Sequence, residues 1–452
     1  MLKKETSKVY IRTFGCQMNE HDSERMYGLL LNSGFIQAEG EEDADLLLLN
    51  TCTIRQKAEQ KAFSALGRLK AMKAERPGLK IGFCGCIAQR EGHRVIRRAP
   101  HVDLIFGTKN IHRLPYLLNK LYEKGNREVE ISNDNEFSKQ FCCPVRRASP
   151  IKAWVTIMQG CNNYCTYCVV PYVRGREWSR SPEEILSEIR DLVARGYKEV
   201  TLLGHNVNSY GQQEGWNFSF PTLLRAIEEI PGLERIRFTT SHPKDFSVEL
   251  VEAIADCAKV CEHIHLPFQS GSDKILKGMN RKYTRAEYLE RVEVIRKRIP
   301  QAALTSDVIV GFPGEEEEDF QQTLHLIESV QFDGLFTFLY SIRPQTAAGN
   351  FPEQVPNSIK QERFEILLSI QNEMSLKKNK ALLGTQQEVL VEEVLTEAER
   401  RPDSRVQLRG RTRLNKIVEF TGSANVVGSF QKVEIVQANR FNLKGVVCSK
   451  KA

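Results

Sequence analysis

The chain of 452 residues has no apolar stretch approaching the ~20 residues that a membrane-spanning helix needs. Its four consecutive leucines at 46–49 are only strand-sized. There is no low-complexity tract and no strict internal repeat. Behind the charges of the first seven residues lies no apolar core, so a secretory leader is not expected. Apolar residues make up 41%, charged residues 27% and aromatics 8%, which excludes disorder, collagen and coiled coil as whole-chain readings. A cytoplasmic protein of about three domains, with no membrane association and monomeric, is the expectation.

What is present is cysteine, twelve in all. A reducing compartment keeps ordinary thiols free, so these point to metal, redox chemistry or burial rather than to a disulfide framework. The net charge of +7 is unevenly spread: from Lys380 onward there are 13 Lys/Arg against 8 Asp/Glu. A basic terminal module suggests a polyanionic partner, against the plainer reading of a solvated face.

Three zones differ in pattern. Residues 7–125 alternate apolar segments (9–14, 44–49, 79–83) with charged helical stretches (21–32, 55–73), which argues a parallel sheet covered by helices. Residues 126–149, polar and Pro-containing, read as a linker. Residues 150–376 carry six strand candidates, at 153–158, 199–203, 235–239, 263–266, 304–310 and 335–340. Helices between them are expected at 182–195 (Ser181 as N-cap), 221–230, 247–258, 285–298 and 316–330. A closed eight-unit barrel takes ~250 residues, so a partial (β/α)6 barrel fits better. Residues 378–448, with strands expected at 388–394, 405–409, 416–420 and 431–436, read as a small all-β barrel.

Cys161-Asn-Asn-Tyr-Cys165-Thr-Tyr-Cys168 has the spacing C-x3-C-x2-C just after a strand. Three thiolates on so short a loop suit one 4Fe-4S cluster whose fourth iron is left open for a small ligand. Zinc is the rival, but a structural zinc site wants a fourth ligand and none follows nearby. Cys16, Cys52 and Cys86 each lie just past the carboxyl end of an expected strand, so they would converge on the sheet edge where open α/β folds bind ligands. A second three-thiolate cluster follows, with Gly15 and Gly85 allowing close backbone approach; dispersed core cysteines are the alternative. Cys84, Cys257 and Cys261 read as core thiols, and Cys142, Cys143 and Cys448 have no assigned role.

The first motif, with Tyr167 beside its last cysteine, resembles the radical S-adenosylmethionine (SAM) superfamily. Asn50-Thr-Cys52-Thr-Ile-Arg55, Gly85-Cys86-Ile-Ala-Gln89 and Arg174-Gly-Arg-Glu177 extend the resemblance to the methylthiotransferases, over nearly the whole chain. The tail, with Gly410-Arg-Thr-Arg-Leu-Asn-Lys416, resembles the RNA-binding TRAM module. Cys16-Gln-Met-Asn-Glu20 resembles the MiaB branch, which acts on isopentenylated adenosine at position 37 of tRNA. The branches acting on threonylcarbamoyladenosine or on a ribosomal protein more often have Lys or Pro-Lys after this cysteine, and stand as the alternative. A non-enzymatic iron–sulfur protein that binds RNA is a further one.

The resemblance implies two 4Fe-4S clusters and two SAM per turnover, one as methyl donor and one as radical source. It also implies tRNA, through its anticodon loop, as substrate, and a low-potential electron donor such as flavodoxin or ferredoxin. No side chain is assigned as an acid or base, because an unactivated C–H bond offers nothing that a side-chain base can remove. Tyr167, Arg174, Glu177, Gly204, Asn206, Ser241, Gln269, Ser270 and Gly311 are expected to hold SAM. Asn19, Arg409, Arg411, Arg413 and Lys416 are expected to contact the substrate. His205, Glu316 and Gln345 depart from the family pattern, where Gln, Thr and Gly are usual.

Overall fold

The computed structural model describes residues 7–53, 56–132, 143–212, 216–395 and 405–448. Cys142 lies outside them. Strands β1 (Lys8–Thr13), β2 (Ile36–Gln37), β3 (Leu46–Thr51), β4 (Lys80–Gly85), β5 (Leu104–Phe106) and β6 (Glu128–Glu130) form one parallel sheet in the order β2-β1-β3-β4-β5-β6. β3 is buried along its whole length, as a central strand with helices on both faces must be. The order in which strands are added reverses between β1 and β3, and such switch points are where these sheets bind ligands. β6 falls inside the stretch expected to be linker, so the first domain runs further than the sequence suggested.

The remainder of that linker is not a free tether either. Arg146 N–H donates to Glu24 O (3.0 Å) and Ala148 N–H to Glu24 Oε1 (2.9 Å). The Arg147 guanidinium, buried, pairs with Glu24 and with Glu188 of the second domain. The strap therefore fastens helix Gln17–Asn32 to the barrel.

The second domain holds six parallel strands, β7 (Lys152–Thr156), β10 (Glu199–Leu203), β11 (Arg235–Phe238), β12 (His263–His265), β13 (Ala303–Val310) and β14 (Gly334–Leu339). A two-stranded ribbon, β8 (Met158–Gln159) with β9 (Trp178–Ser179), lies beside them. The six form two three-stranded sheets, β11-β10-β7 and β12-β13-β14, joined by a parallel bridge between Ile236 and Val260. This is the expected partial barrel. Its outer face packs on helices through a core that includes Val200, Leu202, Leu304, Val308, Tyr288, Ile295 and Ile327. Ser181 does cap helix Pro182–Ala194, its hydroxyl accepting from Glu184 N–H. Among the described residues no helix is long and apolar enough to cross a membrane.

The third unit is a closed barrel, β15 (Gln386–Val394), β16 (Arg405–Thr412), β17 (Ile417–Ser423), β18 (Phe430–Ala438) and β19 (Leu443–Val447), in the order β15-β16-β17-β19-β18. The fifth strand and helix Asn357–Lys380 were not expected from sequence.

The turn between β16 and β17 plugs the amino-terminal end of the partial barrel. Arg235, 0% exposed, donates to Arg411 O and Glu388 O, both at 2.9 Å. Arg237 donates to Arg413 O and Thr412 O. Arg413 in turn pairs with Glu262, and Lys416 with Asp333 (2.9 Å). Arg413 and Lys416, expected to contact RNA, are both engaged by the barrel. Arg235→Met should remove the donor to the carbonyls of Arg411 and Glu388 together with the ion pair to Glu388. In urea melts of the apo-chain the variant should lose about 3 kcal/mol. Breaking the exposed Arg225–Asp256 pair should move stability by less than ~0.5 kcal/mol.

Candidate active site

Cys16, Cys52 and Cys86 follow β1, β3 and β4, three adjacent strands, so one sheet edge carries all three thiols. Cys16 caps helix Gln17–Asn32 and Cys86 opens helix Cys86–Glu91, both at helix amino termini, where the backbone favours thiolate. Gly15 and Gly85 have positive φ (120° and 89°). A Cβ on Gly15 would stand 2.7 Å from Cys52 Sγ, and one on Gly85 would stand 2.5 Å from Thr51 O. The three turns can close on one another only because these positions lack side chains.

Arg174 is the charge this site is built around. It is 2% exposed and its guanidinium pairs with Asp22 Oδ2 at 2.7 Å. It also donates to Asn19 Oδ1 (3.2 Å), and Asn19 Oδ1 accepts from Cys16 Sγ (3.6 Å). A hydrogen bond with Cys52, helped by Arg174 and opposed by burial, brings Cys16 down to about 6. Burial raises Cys86, with Arg174 acting against it. Against the cost of burial, Asp22 and the Cys86 and Cys16 thiolates hold Arg174 above its ordinary value. Arg174, expected to hold SAM, thus faces the first cysteine triad, and Asn19, expected to contact substrate, is 0% exposed and orients Cys16 and Arg174.

Cys161, Cys165 and Cys168 occupy the loop after β8. Asn163 Nδ2 donates to Cys161 Sγ and Arg281 Nη1 to Cys165 Sγ, both at 3.5 Å. Burial pushes Cys161 up to about 11 and Cys168 up to about 12. Such thiols bind metal by releasing protons, so loading of this site is favoured by rising pH. Tyr167 is half-buried beside Ile309, Phe312 and Tyr340.

The two triads meet through one turn of helix, Val170–Val173, which leads from Cys168 to Arg174. Val169 and Val173 pack on Cys86, and Thr108 donates to Val173 O (2.6 Å). Among the described residues no three His, Cys, Asp or Glu side chains converge as a mononuclear ion requires. Three thiolates without a fourth protein ligand are a donor set that suits the separate corners of an iron–sulfur cluster.

The other expected cofactor residues lie on loops at the carboxyl ends of the barrel strands, the functional face of such folds. Val207 N–H donates to Thr240 O (3.0 Å), and Asn206 Nδ2 donates to Asp245 Oδ2 (2.7 Å), which ties two of the loops together. Asn206 Oδ1, both amide atoms of Asn208, Ser241 Oγ and His242 Nε2 are buried with no partner among the described residues. Each such atom costs about 1–3 kcal/mol unless a ligand satisfies it. The donor and acceptor set suits a zwitterionic amino acid joined to a nucleoside. Burial, then Arg281, holds His242 down at about 2, and burial, then Arg174, holds His205 at about 3. His205 is therefore neutral and offers one donor and one acceptor, as the glutamine usual there would. Glu177 faces Ser209 at the same mouth, and a Cβ on Gly204 would meet Met158 Cγ at 2.4 Å.

Gln269 is buried in a left-handed turn (φ 68°) bridged to β13. Ser270 Oγ accepts from Ser272 N–H, and Gly311 N–H donates to Glu315 Oε1. The last two therefore shape their loops with groups already engaged. Asn163, Arg281 and Asp22 were missed from sequence, while Asn208 and His242 lie in loops expected there to cradle SAM. Arg281 alone carried a signal, as the first of two cations, Arg281-Lys282, between Asn280 and Tyr283 after a short helix. Cys84, Cys257 and Cys261 are buried, as core thiols should be.

Arg174→Met should lower the iron bound after anaerobic reconstitution from about eight to about four per chain, with the Cys161/Cys165/Cys168 cluster retained. A residue that served only SAM would leave the iron unchanged.

A family model described as Uncharacterized protein family UPF0004 matches residues 8–107, and one described as Radical SAM superfamily matches residues 155–327. The chain is 50% identical to the tRNA-2-methylthio-N(6)-dimethylallyladenosine synthase of Pelotomaculum thermopropionicum, covering 97% of each. It is 49% identical to the enzyme of that name from Carboxydothermus hydrogenoformans, covering 97% of this chain and 98% of the relative. A solved structure of the radical SAM methyltransferase TsrM from Kitasatospora setae shares the fold, with a TM-score of 0.56 at 15% identity over 76% of this chain and 75% of that one. With its whole length matched at half identity, the chain belongs to the tRNA-2-methylthio-N(6)-dimethylallyladenosine synthase family of radical SAM enzymes.

Proposed function

We propose that this chain adds a methylthio group to carbon 2 of N6-isopentenyladenosine at position 37, in the anticodon loop of cytoplasmic tRNA, using SAM both as methyl donor and as radical source. The observation that carries this is the joining of two three-cysteine sites by the single turn Val170–Val173 and Arg174. When bound, the two clusters and SAM supply the radical chemistry and the sulfur that no side chain can provide. The chain's own residues hold these groups. Arg174, Arg281 and Asn163 balance or hydrogen-bond the thiolates, and the loops at Asn206 and Ser241 present unpaired polar atoms to SAM. A low-potential donor such as flavodoxin or ferredoxin would deliver the electron. The names of the relatives favour the isopentenylated substrate over the threonylcarbamoyl and ribosomal-protein alternatives.

With Arg413 and Lys416 engaged by the barrel, the RNA-facing surface shifts to the opposite side of the tail. Arg409, Glu419 and Lys444 stand side by side across β16, β17 and β19. Beside them the turn after β18 presents Phe441, 79% exposed, between the exposed Arg440 and Lys444. Asn379 pins this turn by donating to Asn439 O and Arg440 O at 2.7 and 3.2 Å. Arg409 is held by exposed or half-exposed pairs with Glu393 and Glu419 that a phosphate can replace, whereas Arg411 is held by Glu392 and Asn415. Cations around a rigid exposed aromatic fit single-stranded RNA.

Two measurements test this reading. Wild type should bind about eight irons and a Cys161/Cys165/Cys168→Ala variant about four. Nucleoside analysis should show the methylthio product only with wild type on isopentenylated tRNA. Four irons in wild type falling to none would leave Cys16, Cys52 and Cys86 without a cluster, and an ordinary radical enzyme would be the better reading. Separately, tRNA affinity should fall with salt, with a log–log slope of ~0.7–0.9 per phosphate neutralised. Arg409→Ala should lower that slope by about one phosphate, while Phe441→Ala should weaken binding about tenfold at unchanged slope.

A further inference from the structure

The inner face of the partial barrel carries a side-chain cluster that neither the cysteine sites nor the tail uses. Parallel pairing sets His265 against Thr305, Asp307 against Phe336 and Ile309 against Phe338. Their alternates Leu304 and Val308 belong to the outer core under the helices, so this set points into the barrel. His265 Nδ1 is 3.1 Å from Thr305 Oγ1, and its Nε2 is 3.6 Å from Asp307 Oδ1. The rings of His265 and Phe336 meet edge to face at 5.8 Å.

Three features make this wall a receptor rather than a core. Phe336 is 51% exposed although it sits in mid-strand, because β14 is the last strand and the barrel is open beside it. The side chains of Asp307 and His265 are 28% and 15% exposed, so their polar edges reach the cavity. One side-chain layer higher, about 7 Å along the strand, Ile309 and Phe338 pack with Tyr167 of the cluster loop. A base lying on this wall is thus directly beneath the site where the chemistry is placed. The layer below, His263, adjoins Arg237, Arg411 and Lys416 and belongs to the plug of the tail.

We propose that Phe336, His265 and Asp307 receive the target adenine, Phe336 stacking on its face and the Asp307 carboxylate accepting from its N6–H. N6-isopentenylation leaves one hydrogen on that nitrogen, so the acceptor suits the modified base. The alkyl group needs apolar surface, which Phe338 and Ile309 supply next to it. None of His265, Thr305, Asp307, Ile309, Phe336 and Phe338 is a cation other than the imidazole, which fits a neutral base and not a phosphate. The assignment rests on the tRNA-modifying function above and adds the seat of the base to it.

The test uses the full reconstituted chain with an isopentenylated anticodon stem–loop, measuring methylthio nucleoside, KM, kcat and bound iron. Phe336→Ala should raise KM about tenfold, the size expected for one lost base–aromatic stack, with iron content unchanged. Phe336→Trp should restore KM to within about twofold, because stacking tolerates any aromatic face. Asp307→Leu, similar in size but without an acceptor, should also raise KM about tenfold. A wild-type KM in Phe336→Ala, or a Phe336→Trp chain as defective as the alanine variant, would overturn the assignment. Absence of product from wild type as well would instead overturn the function on which it rests, and the two failures are told apart by that control.

Discussion

A guanidinium with almost no access to water cannot stand alone; it needs opposite charge on every side. Arg174 has Asp22 on one side and the thiols of Cys16 and Cys86 on the other. It arrives there from the second domain, at the end of a turn that begins at the second cysteine loop. The relative placement of the two triads is therefore a matter of electrostatics as well as of packing. Were the domains to part, Arg174 would lose Asp22, which would keep only Arg25 of its own helix, and the valines on Cys86 would lose their partner. The strap through Arg147, paired to Glu24 and Glu188, closes the same interface from its other edge.

The opposite end of the barrel is joined by different physics. Arg235 and Arg237 donate mostly to backbone carbonyls of the tail, an arrangement that reads the position of a turn rather than its side chains. The tail is consequently a fixed extension of the barrel floor. An RNA held on its outer face, near Arg409 and Phe441, lies at a set distance from the barrel's open side.

Much of this was legible in the residues. The cysteine spacing and the alternation of short apolar segments with charged helical stretches lead to both triads, the parallel sheet and a six-stranded partial barrel. What stayed hidden has particular causes. Helix Asn357–Lys380 buries Lys360, Arg363, Gln371, Ser375 and Asn379 along one stripe, so its inner face carries almost no apolar periodicity. β2, β5 and β6 are two or three residues long and pair only because the sheet already exists. The linker looked free because its polar composition says nothing about where its hydrogen bonds go. Arg174, Arg413 and Lys416 were assigned by proximity in sequence to a motif or by charge alone. Which partner a long cation reaches is decided by tertiary structure, and here all three cross a domain boundary.

The turn shared by the two cysteine sites also orders how the protein is made. Cys16, Cys52 and Cys86 leave the ribosome well before Arg174 does, and until that residue is translated and docked their edge of the sheet lacks its counter-charge. The first site is thus completed by a residue of the second domain. A nascent or truncated chain that ends within the first domain carries its three thiols at an open strand edge without the guanidinium that faces them in the full chain. Completion of this site therefore waits on the middle of the chain, although its own cysteines are made first.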